Sequence, residues 1–305
     1  MAVVFILVTV VLVARVLLQK DPPPQPPGNL FSVPPPPVMA GELSFPGSAS
    51  GIPLTEMERI LEKRFVYYQC LDGRLRRLFL RRLHRFIEHK HFIIKDDEGF
   101  REMPVLVSAA AIQLTFGLKH YFLPFYRYIR IYPQEYVADH ALKVLAGNVQ
   151  GNTITVAWNH FLEGYAKMND GANVGLHEMS HALYIQKMVI GQHPAEDFGG
   201  RWTSLMNECK LASEAEAQGR YNLYSPYADT NLQEFWAESV ELFFEKPAEL
   251  RKHYPDVYAA LQALLNQDPL NPACPLLKNN RTFREKMNGL MEVYIHNSGS
   301  SARKT

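Results

Sequence analysis

The stretch VGLHEMSHALY, residues 174–184, decides how the rest of the chain is interpreted. His177 and His181 are four residues apart, so on an α-helix both rings lie on one face and can reach a single metal ion. Glu178 points to the adjacent edge of that face, where it can accept a proton from water without being a ligand. The residues around the three are uncharged, and no proline interrupts them. The pattern predicts a buried helix with a zinc site.

The HExxH motif by itself is a moderate signal. With 11 histidines in 305 residues, chance produces it in roughly a few of every hundred such chains. The competing explanation is an amphipathic helix whose histidines only pack or face solvent. An extended metzincin motif would need glycine and histidine where the chain has Tyr184 and Lys187, so that subclass is excluded.

A third metal ligand is expected in NLQEFWAESVELFFE, residues 231–245. Glu234 and Glu238 lie four apart on an otherwise strongly apolar helix, and buried carboxylates are costly unless a cation neutralises them. One would coordinate the ion while the other orients a histidine ring. A solvated helix face is the alternative for this pair. Isolated polar residues elsewhere are alternative ligands, namely His193, Asp197, Glu214 and Glu216.

The N-terminal residues 2–18 are apolar except for Thr9 and Arg15. As a helix, about 18 residues rise roughly 27 Å, enough to span the hydrocarbon core of a bilayer. No basic region precedes the apolar run, which argues against a cleaved secretory signal. Arg15 lies near the C-terminal end of the run and Lys20 follows it, and the positive-inside rule then keeps the rest of the chain in the cytoplasm. We expect a single-pass membrane anchor.

Residues 21–38 contain nine prolines and cannot build a core, so they predict an extended spacer. The predicted organisation is a transmembrane segment, a proline-rich linker, a zinc metallopeptidase domain and a polar tail, at residues 1–20, 21–44, 45–295 and 296–305. The formal net charge is +1, so nothing in the overall charge predicts a nucleic-acid partner. The three cysteines, Cys70, Cys209 and Cys274, are predicted to be free thiols.

The folded part is predicted to be α+β and predominantly helical, a zincin-type core with a small sheet. Residues 104–116 predict a buried helix of small residues. Tyr128–Tyr132 and Thr153–Trp158 have the β-branched and aromatic content of strands. An extended substrate could align along the edge of the second of these. One predicted helix carries six arginines, for which a solvated face is favoured over a lipid, nucleic-acid or protein contact: Arg74, Arg76, Arg77, Arg81, Arg82 and Arg85.

GLHEMSHAL and YADTNLQEFWAESVELFF resemble the Mlc titration factor A family of zinc metallopeptidases, which is similar in its catalytic core to the anthrax lethal factor protease domain. Weaker similarity runs through VSAAAIQLTFGL, IRIYPQEY and WNHFLEGYA, so it covers most of residues 50–250. The resemblance implies zinc ligands at His177, His181 and Glu234. It leaves Glu238 as a carboxylate that supports these ligands without binding the ion itself. It also implies that Tyr227 stabilises the oxyanion or protonates the leaving amine.

These observations predict a zinc-dependent peptidase that acts on peptides or proteins, with one Zn²⁺ per chain and Glu178 as general base. The alternative is a membrane-tethered binding protein with a structural zinc site, which sequesters a regulatory partner such as a transcriptional regulator. A zinc hydrolase acting on a non-peptide amide is a third option. Glu178 favours the enzyme, because a structural site needs no general base.

Overall fold

A computed structural model describes residues 33–95, 101–137, 144–167, 169–190 and 198–270. The chain divides into two units, Met1–Pro34 and Pro35–Thr305, and the architecture given below is that of the second. The predicted membrane segment, the linker up to residue 32 and the polar tail lie outside the described residues. Within the described ranges, no helix is both long enough and apolar enough to cross a bilayer.

Helices make up most of the described chain, which confirms the predicted fold class. They are α1 Leu54–Arg64, α2 Val66–Cys70, α3 Gly73–Glu88, α4 Glu102–Thr115, α5 Trp158–Ala166, α6 Val174–Tyr184, α7 Phe198–Ala217, α8 Leu232–Glu245, α9 Pro247–His253 and α10 Pro255–Leu265. The strands are β1 Leu43–Pro46, β2 His91–Ile94, β3 Tyr128–Tyr132, β4 Tyr136–Val137, β5 Val144–Leu145, β6 Gly147–Gln150 and β7 Thr153–Ala157.

Five strands form one mixed sheet in the order β1-β2-β3-β7-β6, and β4 pairs with β5 separately. Strands β2, β3 and β7 are parallel, whereas β1 and β6 run antiparallel to their neighbours. Every residue of β7 is buried, and both of its edges are paired. The expectation that a substrate aligns along Thr153–Trp158 is therefore wrong: the strand is interior, and Trp158 begins helix α5.

Helix α4 forms the centre of the core. From Met103 to Thr115 all of its residues are buried, as expected for this small-residue helix. Its alanines, Ala109 to Ala111, allow neighbouring elements to approach closely, and α4 packs against α3 and α6. The sheet and α4 both pack against α6 and thus fix its position in the fold.

Lys90 is a buried cation within this core. It is 4% exposed, and its ammonium donates to the carbonyls of Phe122, Leu123 and Tyr126 at 2.9, 2.8 and 2.7 Å. Leu123 has a left-handed backbone, with φ of 48°, a conformation that costs energy in residues other than glycine. The lysine therefore stabilises the strained turn that precedes β3.

The predicted arginine face of α3 is only partly a solvated surface. Arg76 donates to the carbonyls of Gln69 and Leu71, and Arg82 donates to that of Phe116. The exposed remainder is Arg74, Arg77, Arg81 and Arg85. Two of the six arginines thus join elements of the fold.

Candidate metal centre

Helix α6 places His177 and His181 on one face, one turn apart. Its first turn is capped by Asn173, whose side-chain oxygen accepts from the backbone N–H of Leu176 at 3.1 Å. The two Nε2 atoms lie 3.1 Å apart. The HExxH spacing therefore does in the structure what helical geometry predicts: both imidazoles are directed at one point.

Helix α8 brings Glu234 to the same point. Asn231 caps this helix, accepting from the N–H groups of Gln233 and Glu234. One oxygen of Glu234, Oε2, lies 3.0 Å from Nε2 of His177 and 3.3 Å from Nε2 of His181. The two helices are joined nearby by the indole of Trp236, which donates to the carbonyl of Ser180 at 3.1 Å.

These three side chains fit a metal ion. All three ligand atoms lie within 4.8 Å of one another, and the pairwise distances of 3.0, 3.1 and 3.3 Å approach the roughly 3.3–3.4 Å between neighbouring ligands of a tetrahedral zinc ion. Two imidazoles and a carboxylate are a donor set that zinc prefers. Across the described ranges, no second group of three or more such residues converges in this way.

Charge reinforces the fit. Burial raises the pKa of Glu234, but its hydrogen bonds to His177 and His181 outweigh burial and lower that pKa to about 2. Burial lowers the pKa of His177, and its bonds to Glu234 and Glu241 reverse the effect and hold that pKa well above its ordinary value. The carboxylates thus create a negative environment in which a cation, whether a proton or a metal ion, is favoured.

Glu178 is buried beside the three ligands and is only 6% exposed. Burial raises the pKa of its carboxyl to about 8, His177 opposes the rise, and the charges of Glu234 and Glu241 add to it. The side chain lies against the edge strand β6, where a Cβ built on Gly147 would stand 2.6 Å from both Cγ and Oε1 of Glu178. Only glycine leaves that carboxylate in place.

Glu241 is a functional residue that the sequence analysis missed. It is 4% exposed, and its Oε1 accepts from Nδ1 of His177 at 2.7 Å. Its other oxygen accepts from the backbone N–H of Asn173. The next acidic residue, Glu245, accepts from Nδ2 of Asn173 at 3.0 Å. A signal was present, because Glu241 follows Glu234 by seven residues, nearly two full turns on the same face.

Glu238 does not contact a histidine ring. The carboxylate that orients His177 is that of Glu241. The Glu238 carboxylate accepts from the backbone N–H of Ser225 at 3.0 Å and from the Ser225 hydroxyl. At 100° per residue, Glu238 lies about 40° from Glu234 around the helix and Glu241 about 20° from it on the other side, so both share its face. The packing of α8 against α6 brings Glu241, and not Glu238, to His177.

Tyr227 precedes the short helix Ala228–Thr230 and is 49% exposed. Burial of part of the ring raises the pKa of its phenol, and the charges of Glu234 and Glu178 raise it further. Its hydroxyl therefore lies within electrostatic reach of the metal ligands and of the buried acid. The resemblance drew attention to this residue, whose sequence position alone indicates only a turn.

Glu214 and Glu216, the two other candidate ligands that the structure describes, do not reach the centre. Glu216 accepts from the N–H of Leu223 at 3.1 Å and from the hydroxyl of Tyr254 at 2.6 Å. Glu214 is exposed on the same helix, α7, and is not in the converging group. His193 and Asp197 lie outside the described residues.

Comparison with known proteins agrees with this geometry. The model of the family described as glucose-regulated metallo-peptidase M90 matches residues 49–265, a span that contains His177, Glu178, His181 and Glu234. The chain is also similar to the uncharacterized protein slr2042 of Synechocystis sp., with 26% identity over 233 residues, covering 70% of this chain and 84% of that protein. The resemblance to the Mlc titration factor A family is confirmed. This chain belongs to the glucose-regulated metallo-peptidase M90 family.

Proposed function

We propose that the protein is a zinc peptidase that hydrolyses peptide bonds, with the ion held by His177, His181 and Glu234. One observation carries the proposal: three ligand atoms lie within 4.8 Å of one another, and the buried acid Glu178 stands beside them on α6, the helix that carries both histidines. A zinc ion in this site would lower the pKa of water to about 7 and polarise the scissile carbonyl.

Glu178 has the chemistry of a general base in this setting. Its carboxylate accepts a proton from the attacking water and then delivers that proton to the leaving amine. Burial, together with the charges of Glu234 and Glu241, makes the carboxylate more basic than a solvated one. A pKa nearer to neutrality suits a group that must both take and return a proton.

Tyr227 is proposed to stabilise the oxyanion or to protonate the leaving amine. Its phenol stays protonated at neutral pH because burial, Glu234 and Glu178 all raise its pKa. A protonated hydroxyl can donate a hydrogen bond to negative charge that develops on the substrate.

The substrate is proposed to bind in extended form along β6. This strand is an edge of the sheet and passes directly beside Glu178. An exposed edge offers unpaired N–H and C=O groups that can hydrogen-bond a peptide as an added strand. Gly147 supports this placement, since the absence of a side chain there lets the carboxylate of Glu178 lie directly against the strand.

We also propose that residues 1–20 anchor the protein in a membrane with the peptidase domain in the cytoplasm. The support is the length and composition of the apolar segment and the basic residues that follow it. Recovery of the full-length chain in a membrane pellet that resists carbonate extraction would agree, and recovery in the supernatant would contradict it.

The function is tested with Glu178→Gln in the full-length protein. This variant keeps all three ligands and should retain zinc at one ion per chain, yet lose peptide-library cleavage by about 10²–10⁴-fold. His181→Ala is the matched variant, because it should lose both zinc and cleavage. Undiminished turnover by Glu178→Gln would refute the base assignment. Wild-type protein that binds zinc but cleaves no peptide would instead favour a binding protein.

A further inference from the structure

The turn that carries Tyr227 is held by a short chain of hydrogen bonds that begins on helix α8. Glu238 accepts from both the N–H and the hydroxyl of Ser225. The same hydroxyl oxygen accepts from the backbone N–H of Tyr227 at 3.1 Å. One side chain of α8 is thereby connected to the backbone of Tyr227 through a single serine.

The carbonyl of Tyr227 is also hydrogen-bonded within the turn. It accepts from the N–H of Thr230 at 3.1 Å and from the Thr230 hydroxyl at 2.8 Å. Both polar groups of the Tyr227 backbone are therefore engaged within the turn, so the position of this backbone depends on where Ser225 is held. The helix that holds Ser225 is the one that supplies the metal ligand Glu234.

We infer that Glu238 is a positioning residue, which holds the turn that carries Tyr227 in place by way of Ser225. This inference rests on the proposed function, in which Tyr227 acts on the substrate. It gives three of the four acidic residues of α8 different tasks: Glu234 contacts both histidine Nε2 atoms, Glu241 contacts Nδ1 of His177, and Glu238 contacts neither ring.

The placement of Glu238 argues for a specific task. It is partly buried on the same helix as Glu234 and Glu241, and bringing like charges together away from water is unfavourable. Burial raises the pKa of its carboxyl, Ser225 opposes the rise, and the charge of Glu241 adds to it. A neutral glutamine would avoid that cost, but it has one acceptor oxygen and could not offer separate oxygens to the N–H and the hydroxyl of Ser225, as Glu238 does.

A double-mutant cycle in the full-length zinc enzyme tests the inference. Tyr227→Phe removes the hydroxyl and should lower kcat by about 10²-fold. Glu238→Ala should lower kcat by about 10-fold or more, with zinc affinity unchanged. If Glu238 acts through Tyr227, the double variant should be no slower than Tyr227→Phe alone. Glu238→Gln keeps an acceptor for the serine hydroxyl and should recover part of the loss.

Gln233→Ala is the control, because Gln233 is an exposed side chain on the same helix and its removal should leave kcat unchanged. Hydrogen exchange of residues 225–230 gives a readout that needs no activity. Exchange there should accelerate in Glu238→Ala and stay as in the wild type in Tyr227→Phe.

Three results would overturn the inference. Multiplying effects, about 10³-fold or more in the double variant, would show that the two residues act independently. Loss of zinc in Glu238→Ala would place the residue with the metal ligands, and unchanged exchange at 225–230 would show that it does not hold the turn. A wild-type enzyme without peptidase activity would be a different failure, since it removes the proposed function itself.

Discussion

Nδ1 of His177 lies 2.7 Å from Oε1 of Glu241, so this ring is contacted on both nitrogens by carboxylates of one helix. A hydrogen bond from Nδ1–H to Glu241 fixes the tautomer and leaves the lone pair of Nε2 free to bind an ion. The same carboxylate accepts from the N–H of Asn173, the residue that caps α6. Glu241 thus sets the orientation of the ring and the start of its helix together.

Glu241→Gln should weaken zinc binding by about 10–100-fold. An amide has only one acceptor oxygen, so it cannot serve both His177 Nδ1 and the Asn173 N–H. Competition with a chelating dye measures the affinity. Glu245→Gln is the matched control, because the Glu245 carboxylate accepts from Gly171 and Asn173, and the His177 ring is bound instead by Glu234 and Glu241; its zinc affinity should stay within about 3-fold of wild type. Equal loss in both variants would mean that α6 is simply destabilised.

Gly147→Ala should reduce kcat/KM by about 10-fold or more while zinc is retained. The added methyl would stand 2.6 Å from Glu178, so this proposed general base must move. Gly199→Ala is the control glycine, since a Cβ there has no heavy atom within 4 Å. Steady-state kinetics and metal content should be measured on the same preparations. A fully active Gly147→Ala enzyme would show that β6 can shift without cost.

Removing the metal should abolish cleavage and lower thermal stability together. If zinc binds the folded centre as proposed, then at a free concentration 100 times its Kd it should add about 2.7 kcal/mol to the free energy of unfolding. Dialysis against a chelator, followed by thermal unfolding with and without added zinc, measures this difference. His181→Ala should show no zinc-dependent shift. If added zinc left the melting temperature of the wild-type protein unchanged, the ion would not bind at this centre.

Lys90 should make stability depend on pH. Burial lowers the pKa of its ammonium to about 7, below the ordinary value of 10.5, although three carbonyl contacts favour the charged form. Between these two values the unfolded chain binds a proton that the folded chain releases, so the free energy of unfolding should rise with pH. Below pH 7 both states are charged and this gain is absent.

Lys90→Met tests this by denaturant unfolding at several pH values between 7 and 10. The variant should lose the Lys90 contribution to the slope, and it should also lose about 1–3 kcal/mol for each carbonyl left without a donor. Lys63→Met, at an exposed lysine of α1, should keep the wild-type slope. If Lys90→Met retained that slope, another buried group would be responsible.

Sequence patterns predicted what helical geometry determines locally. The convergence of His177 and His181 follows from a spacing of four residues, and the burial of α4 follows from its composition. The choice of Glu241 over Glu238 could not be predicted in this way. It depends on how α8 lies against α6, and the residues that make that contact are separated by 64 positions in the chain.

Strand β6, along which the substrate is proposed to bind, was also not predicted from the sequence, for a different reason. Strand β6 has the sequence GNVQ, and glycine and asparagine are depleted in strands. It is a strand because β7 offers it a paired edge, in register from Gly147 opposite Val156 to Gln150 opposite Thr153. The apolar content of β7 made it the obvious strand, but the same content is why it is interior.

The two-nitrogen contact of His177 also limits how the chain can change over evolution or in design. Glu234 and Glu241 must both face α6, and a one-residue insertion between them would rotate one by about 100°. Substitutions can be tolerated between Glu234 and Glu241, but the insertion or deletion of a single residue there cannot. A transplanted version of the centre would therefore have to carry the intact 234–241 interval together with residues 173–181, as one unit.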